Sequence, residues 1–349
     1  MKIVLALIVA GAAAEFSQEL AEWSLREHFA LFEAKYEKAY ASGEERESRF
    51  LTFVENLEQV IAKNAALRAN GEDEVHGVTK FSDMSKADFA RTYLTFRPSM
   101  HNTTDIPVAV PTKVATATSF DWRDSNMVTP VKNQAQCGSC WAHSAVETLE
   151  SQYAINGGDL TAFSVQQVVS CDNGNGDMGC EGGWYYTAWM DYIAKNGGLT
   201  TEANYPYDTA TSVGRASDCD STKEKAVTSG TTPTKDALAT PGCTGFFCNS
   251  QDEDTLKNNL VSYGPISIAC DASEWSSYSG GVMTSSSCSS SGRKLDHAIQ
   301  VVGYNEDAST PYWIVRNSWD TTWGNDGYIY LKMGDNTCGI ADAAWMVTL

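Results

Sequence analysis

Two cysteines stand three residues apart in the stretch 131–143, which reads V-K-N-Q-A-Q-C-G-S-C-W-A-H. Cys137 and Cys140 at that spacing suit half a zinc site, a redox dithiol, or one nucleophile at a helix start beside a cysteine engaged elsewhere. A zinc site wants a second pair at similar spacing, and Cys171/Cys180 and Cys243/Cys248 have other gaps. A thioredoxin-like dithiol follows a strand in a βαβ unit, and no such pattern surrounds the motif. The lone nucleophile is left. It needs an imidazole to form its thiolate near neutral pH, and beyond residue 118 the only histidines are His143 and His297.

His143 lies three residues past Cys140 on the same helix pattern, which fits a core or groove-wall role. His297 opens an apolar strand and can face Cys140 from another lobe, so it is the expected base. Asn317 follows the apolar run Tyr312–Arg316 and can orient the far ring nitrogen. Trp319, two residues on, can shield that bond from water. Gln134, six residues before Cys140, can aim a side-chain N–H at a developing oxyanion, with the Cys140 backbone N–H as second donor. No metal or other cofactor is needed by this chemistry, and none is expected.

These residues must be positioned by a chain of 349 residues, long enough for two domains and a sizeable core. Its 25 basic against 44 acidic residues argue against nucleic acid or an anionic membrane as partner. From residue 114 onward the imbalance sharpens to 12 basic against 27 acidic, and all ten cysteines lie at 137 or later. That concentration suits an oxidising compartment. Lys2, the apolar run 3–10 and Gly11-Ala12-Ala13-Ala14 read as a secretory signal over 1–14, too short to span a membrane. The expected destination is the secretory pathway, ending in a lysosome or vacuole or outside the cell.

Residues 17–40 carry Trp23, Phe29, Phe32, Tyr36 and Tyr40 at helical steps, and Ser42-Gly43 ends that run. A second helix is expected from Glu44 to about Asn70, with Phe50, Phe53, Leu57, Val60 and Ile61 on one face and Gly71 as its stop. Residues 101–118 read as an exposed linker of the kind proteases cut, and hold the N-glycosylation sequon at Asn102. Beyond it a helix is expected from Cys140 to Gly157, then short β-prone runs at 265–269, 298–304, 312–316 and 327–332. A helical half followed by a strand-rich half is an α+β arrangement in two lobes.

The second helix also carries Glu45, Arg49, Phe53, Asn56, Val60 and Asn64 at the spacing E-x3-R-x3-F-x2-N-x3-V-x3-N, followed by Gly77, Thr79, Phe81 and Asp83. Both elements resemble the pro-segment of papain-like cysteine proteases of the cathepsin L type, and C-G-S-C-W resembles the nucleophile motif of that family. The resemblance implies a papain-like two-lobe fold, helical on the left and β-barrel-like on the right, behind a helical pro-domain. It implies a helical inhibitory pro-segment over 15–115 and a peptidase domain over 116–349. The activity implied is that of a cysteine endopeptidase zymogen, a monomer acting on polypeptides by a Cys140–His297–Asn317 mechanism through an acyl-enzyme, and held by its own pro-segment. A silent relative serving as inhibitor or binding protein, or an acyl transferase using the same thioester, are the alternatives.

From the resemblance follow the bridges Cys137–Cys180, Cys171–Cys219 and Cys288–Cys338. Cys243–Cys248 is then a fourth, within an insertion over about 235–251, and Cys270 is a buried thiol. Gly182 and Gly183 would pair with substrate backbone. Trp184, Tyr185, Ala269, Ala298 and Ala343 would line an uncharged S2 pocket favouring an apolar or aromatic P2 residue, each buried methylene contributing about 0.8 kcal/mol. Trp319 would wall the cleft beyond. Asp83 is the expected carboxylate whose protonation loosens the pro-segment. Ala135, Asp320 and Thr322 stand where the family has glycine, and His143 where it has an aromatic or apolar residue.

Overall fold

The computed structural model describes residues 12–96, 109–174, 176–208, 216–233, 238–239 and 252–349. Residues 1–11 of the expected signal over 1–14, the sequon at Asn102 and the Cys243–Cys248 pair lie outside the described residues.

The N-terminal segment is built on two helices, α1 (Ala12–Lys35) and α2 (Gly43–Ala69). Their apolar faces meet in a small core of Phe29, Phe32, Phe50 and Phe53, in which Phe29 and Phe32 stack at 5.7 Å. α1 ends five residues before Tyr40, which reaches back to stack on Phe29 from the connecting turn. The expected helix over 17–40 is thus too long at its end: one aromatic more at the right step prolonged the pattern past the true stop. α2 starts where Ser42 Oγ accepts the Glu45 N–H at 3.1 Å, which satisfies one orphan donor of the first turn, while the Glu45 side chain reaches back to accept the Ala41 N–H at 2.7 Å ahead of the helix.

The polar stripe of α2 has a clear task. Asn56 donates to the carbonyls of Ser82 and Met84, both at 2.9 Å, and Asn64 makes a two-way bond with the backbone of His76. The segment 76–84, extended at first and then turning at 80–84, is thereby clamped along the helix. It leads into a third helix, α3 (Lys86–Tyr93), which periodicity did not reveal. Its signal was the capping pair Ser85-x-x-Asp88, where Ser85 Oγ accepts the Asp88 N–H at 3.1 Å.

The chain from Ser119 onward has two halves. In one, α4 (Cys140–Ile155) is buried on almost every side and packs with α5 (Val165–Cys171) and a helical run over 185–196. In the other, eight strands among the described residues form one sheet: β1 (Ser119–Asp121), β2 (Leu238–Ala239), β3 (Ile266–Cys270), β4 (Val282–Met283), β5 (His297–Asn305), β6 (Tyr312–Arg316), β7 (Tyr328–Lys332) and β8 (Ala344–Met346). They run in the order β2-β8-β3-β5-β6-β7-β4, with β1 on β5. β5 lies in the middle and is buried on both faces, which explains its nearly continuous apolar run.

Disulfides join Cys137–Cys180, Cys171–Cys219 and Cys288–Cys338, and Cys140 and Cys270 are buried free thiols. No helix among the described residues is long and apolar enough to cross a membrane.

Candidate active site

Cys140 is the first residue of α4, so its own N–H is an orphan donor of the first turn and its thiol meets the positive end of the helix. Ser144, one turn on, donates to the Ile299 carbonyl at 2.8 Å and so pins α4 against β5. The thiol shares a buried cluster with Ala298 and lies against its backbone N–H. His297, the first residue of β5, therefore faces the start of α4.

Asn317, just beyond β6, comes alongside because β5 and β6 are antiparallel partners, with Gln300 opposite Arg316. Its Oδ1 stands 2.8 Å from His297 Nε2, and since an amide oxygen only accepts, the ring carries its proton there. His297 Nδ1 carries no hydrogen bond and is the nitrogen left for chemistry. Trp319 stacks on the imidazole at 4.7 Å and covers the bond.

Gln134 is fully buried, and both faces of its amide are assigned. Its Oε1 accepts from Ser318 Oγ at 2.7 Å and Trp319 Nε1 at 3.1 Å, so its NH₂ must point the other way. One of those hydrogens goes to the Cys137 carbonyl at 3.0 Å, leaving the second to point elsewhere.

The backbone that sets this geometry is strained. Ala135 (φ +52°) and Asp320 (φ +70°) both sit in the left-handed region, at a cost of about 1 kcal/mol each, whereas Thr322 does not. The two turns face one another: Asn133 bridges Trp319, and the Asp320 N–H donates to the Lys132 carbonyl at 3.0 Å.

The pro-segment covers all of this. Phe81, Phe89 and Tyr93 pack edge-on against Trp319 at 5.2, 5.3 and 5.9 Å, gripping the residue that shields His297. Thr95 Oγ1 donates to the Gly138 carbonyl at 2.7 Å and lies 3.9 Å from Cys140 Sγ. Phe96 pairs in parallel with Gly183, and its ring stacks on Tyr185 at 5.5 Å. Gly182 (φ +115°) has no room for a side chain, since a Cβ there would strike the Thr95 carbonyl oxygen. Phe96 thus occupies a buried apolar cluster with Trp184, Tyr185, Ala269 and Ala298, and Ala343 packs against it. Beneath this cover, burial pushes the Cys140 thiol up and His297 down to about 4, the latter against the opposing pull of Asn317. Burial under this cover thus disfavours the charged form of both groups.

Asp83 is placed otherwise than expected. Its carboxylate is buried inside the pro-segment, held by Lys38 at 2.8 Å and Tyr40 at 2.9 Å, and it braces that segment's own turn. Carboxylates span the two parts from both sides: Glu72 accepts from Ser286 Oγ at 2.8 Å and from Thr284 Oγ1, and Glu274 pairs with Lys63 at 2.8 Å and with Lys86. Beside Glu274, His76 is buried with Nδ1 2.9 Å from Ser277 Oγ, and Gly77 donates to the Ser277 carbonyl at 2.8 Å. Burial, with Lys63 nearby, holds the His76 ring down at about 4, Glu274 opposing.

Residues 116–348 match the papain family cysteine protease description, and residues 29–89 match the cathepsin propeptide inhibitor domain. A cysteine proteinase of Trypanosoma brucei brucei is 37% identical over 340 residues, covering 96% of this chain and 70% of the relative. Cysteine proteinase 1 of Dictyostelium discoideum is 36% identical and covers 98% of both chains. Among solved structures, digestive procathepsin L 3 of Tenebrio molitor larval midgut superposes with a TM-score of 0.77 at 33% identity, over 93% of this chain and 99% of that one.

Proposed function

This chain belongs to the papain family of cysteine proteases, with a cathepsin-type inhibitory pro-segment in place, and from that premise we propose the chemistry and specificity of its site. The Cys140 thiolate attacks the scissile carbonyl carbon. The Gln134 side-chain N–H and the Cys140 backbone N–H hold the resulting oxyanion. His297, protonated at Nδ1 once the thiol has ionised, gives that proton to the departing amine and leaves a thioester on Cys140. It then takes a proton from water as that water attacks the thioester, and the acid product departs. Asn317 keeps the ring in register throughout, behind Trp319. The observation that carries this reading is the His297 Nε2–Asn317 Oδ1 bond of 2.8 Å with Nδ1 left unbonded.

The enzyme is read as an endopeptidase with an apolar or aromatic P2 preference. Phe96 supports this, since an aromatic ring of the chain itself already rests on Tyr185 in the uncharged pocket. We place the signal at 1–14, the pro-segment to about 115 and the mature start near 114–118. The setting is the secretory pathway, with release in an acidic vacuole or lysosome or outside the cell. Acid-activated protein should cut a peptide library internally, with Phe, Leu or Tyr enriched at P2, and one equivalent of iodoacetamide should end the reaction. Cleavage confined to chain ends, or unabated by full alkylation of Cys140, would overturn the reading.

Acid release is proposed to run through His76. Its ring is held below the ordinary histidine value of 6.5 when docked, so the docked state disfavours protonation. As pH falls below 6.5 the freed segment binds the proton and the docked one does not, and this bias grows until about pH 4. Glu274, whose lysine partners hold its carboxyl low, adds to release only at more acid pH. His76→Gln is expected to slow processing about tenfold at pH 5.5 and to leave the intact zymogen unchanged at pH 7.5. Equal processing rates of the two proteins at pH 5.5, followed by gel, would exclude His76 as the sensor.

A further inference from the structure

His143 is not needed by the mechanism above, yet it is buried one helical turn from the nucleophile and hydrogen-bonded to the residue before it. His143 Nδ1 lies 3.0 Å from the Ser139 carbonyl oxygen and 3.3 Å from Ser139 Oγ. A carbonyl cannot donate, so Nδ1 carries the proton and gives it to that oxygen. The same carbonyl already accepts the His143 backbone N–H at 3.0 Å, as the first turn of α4 requires. The ring bond is therefore a second, additional polarisation of one peptide group.

That peptide group is Ser139–Cys140. Its carbonyl and the Cys140 N–H share one rigid plane and point in opposite directions. A donor placed on the oxygen turns the plane and draws charge from the N–H at its other end. The same Ser139 is tied to the second oxyanion donor. Ser139 Oγ is 2.8 Å from the Tyr207 hydroxyl, and Tyr207 donates to the Gln134 backbone carbonyl at 3.1 Å. Tyr207 also packs edge-on against His143 at 5.1 Å.

We propose that His143, with Ser139 and Tyr207, is a positioning device for the oxyanion hole, polarising the Ser139–Cys140 peptide and locking it to the Gln134 loop. This rests on Cys140 and Gln134 acting as proposed above. His143 itself touches no substrate. Burial holds its ring down at about 3, so it stays neutral and its donor is present at every pH at which the enzyme would work.

The test uses full-length zymogen carrying His143→Phe or His143→Asn, processed with a trace of wild-type enzyme and quantified by iodoacetamide titration of Cys140. Phenylalanine keeps a ring but loses the donor. Asparagine places an amide nitrogen at the position of Nδ1. For H143F we expect kcat to fall about fivefold with KM within twofold. A peptide aldehyde, whose adduct on Cys140 carries the oxygen into the hole, should bind weaker by the same factor. Iodoacetamide, which forms no oxyanion, should alkylate Cys140 at the wild-type rate. H143N should recover most of kcat, and the ratio to wild type should stay constant from pH 4.5 to 8. Equal losses in H143F and H143N would make the role mere packing, and a parallel loss of alkylation rate would move it to the thiolate; either overturns the proposal. Wild-type protein that neither titrates at Cys140 nor hydrolyses peptide would instead sink the proposed function.

Discussion

Cys140→Ala is expected to give a zymogen that folds, keeps its bridges and never matures. The side chain removed is small and fully buried, at the start of a helix held by Ser144 and by the sheet behind it, so the fold loses little. The chemistry loses everything. Among the described residues the one other free thiol is Cys270, buried in β3, where burial and then the nearby carboxylates of Asp271, Asp296 and Asp342 push its pKa up. Removing the nucleophile of a comparable catalytic unit lowers kcat by about 10⁶. Peptide hydrolysis at pH 5 should therefore fall below detection, and the full-length mass should persist for days in acid. Added wild-type enzyme should still trim the mutant within residues 109–118, a stretch that lies over the helix Glu253–Tyr263 with Val110 and Val114 exposed. Self-trimming of the pure mutant would mean that Cys140 is not the nucleophile.

Gln134 should produce the next largest effect. Gln134→Ala ought to cost about 10²–10³ in kcat, the range seen when one oxyanion donor is lost. Alanine also strips Ser318 Oγ and Trp319 Nε1 of their shared acceptor, and Trp319 covers His297. Gln134→Glu separates the two effects, because it keeps the acceptor and removes the N–H. Both variants should show nearly unchanged KM and similar losses in kcat. A loss under threefold in the Glu variant would assign the oxyanion to other donors.

The sequence was most readable where chemistry fixes both residue type and distance. Gln134, Cys140, His297 and Asn317 could be named because a thiolate needs a base, the base an orienting amide, and the oxyanion a donor. Helices with a one-sided apolar stripe, such as α2, were equally visible. What escaped depends on contacts far apart in the chain. The grip of Phe81, Phe89 and Tyr93 on Trp319 joins residues more than 220 positions apart, and no local pattern announces it. Tyr207 lay in a loop without periodicity, so its link between Ser139 and Gln134 was invisible. Asp83 was misassigned for the same reason: its spacing matched a motif, but its partners Lys38 and Tyr40 come from the turn after α1. Ala135 and Asp320 were legible as departures from glycine, while the left-handed backbone they hold was visible only in three dimensions.

Every cysteine lies at or beyond position 137, so no disulfide ties the pro-segment to the peptidase part. While the chain is whole, the inhibitor stands at the cleft at an effective concentration in the millimolar range, whatever the dilution of the protein. One cut between residues 109 and 118 ends that privilege. From then on occupancy follows ordinary mass action, so the severed segment stays bound in a packed vesicle and is lost on dilution. Release would then be governed by volume as well as by acid.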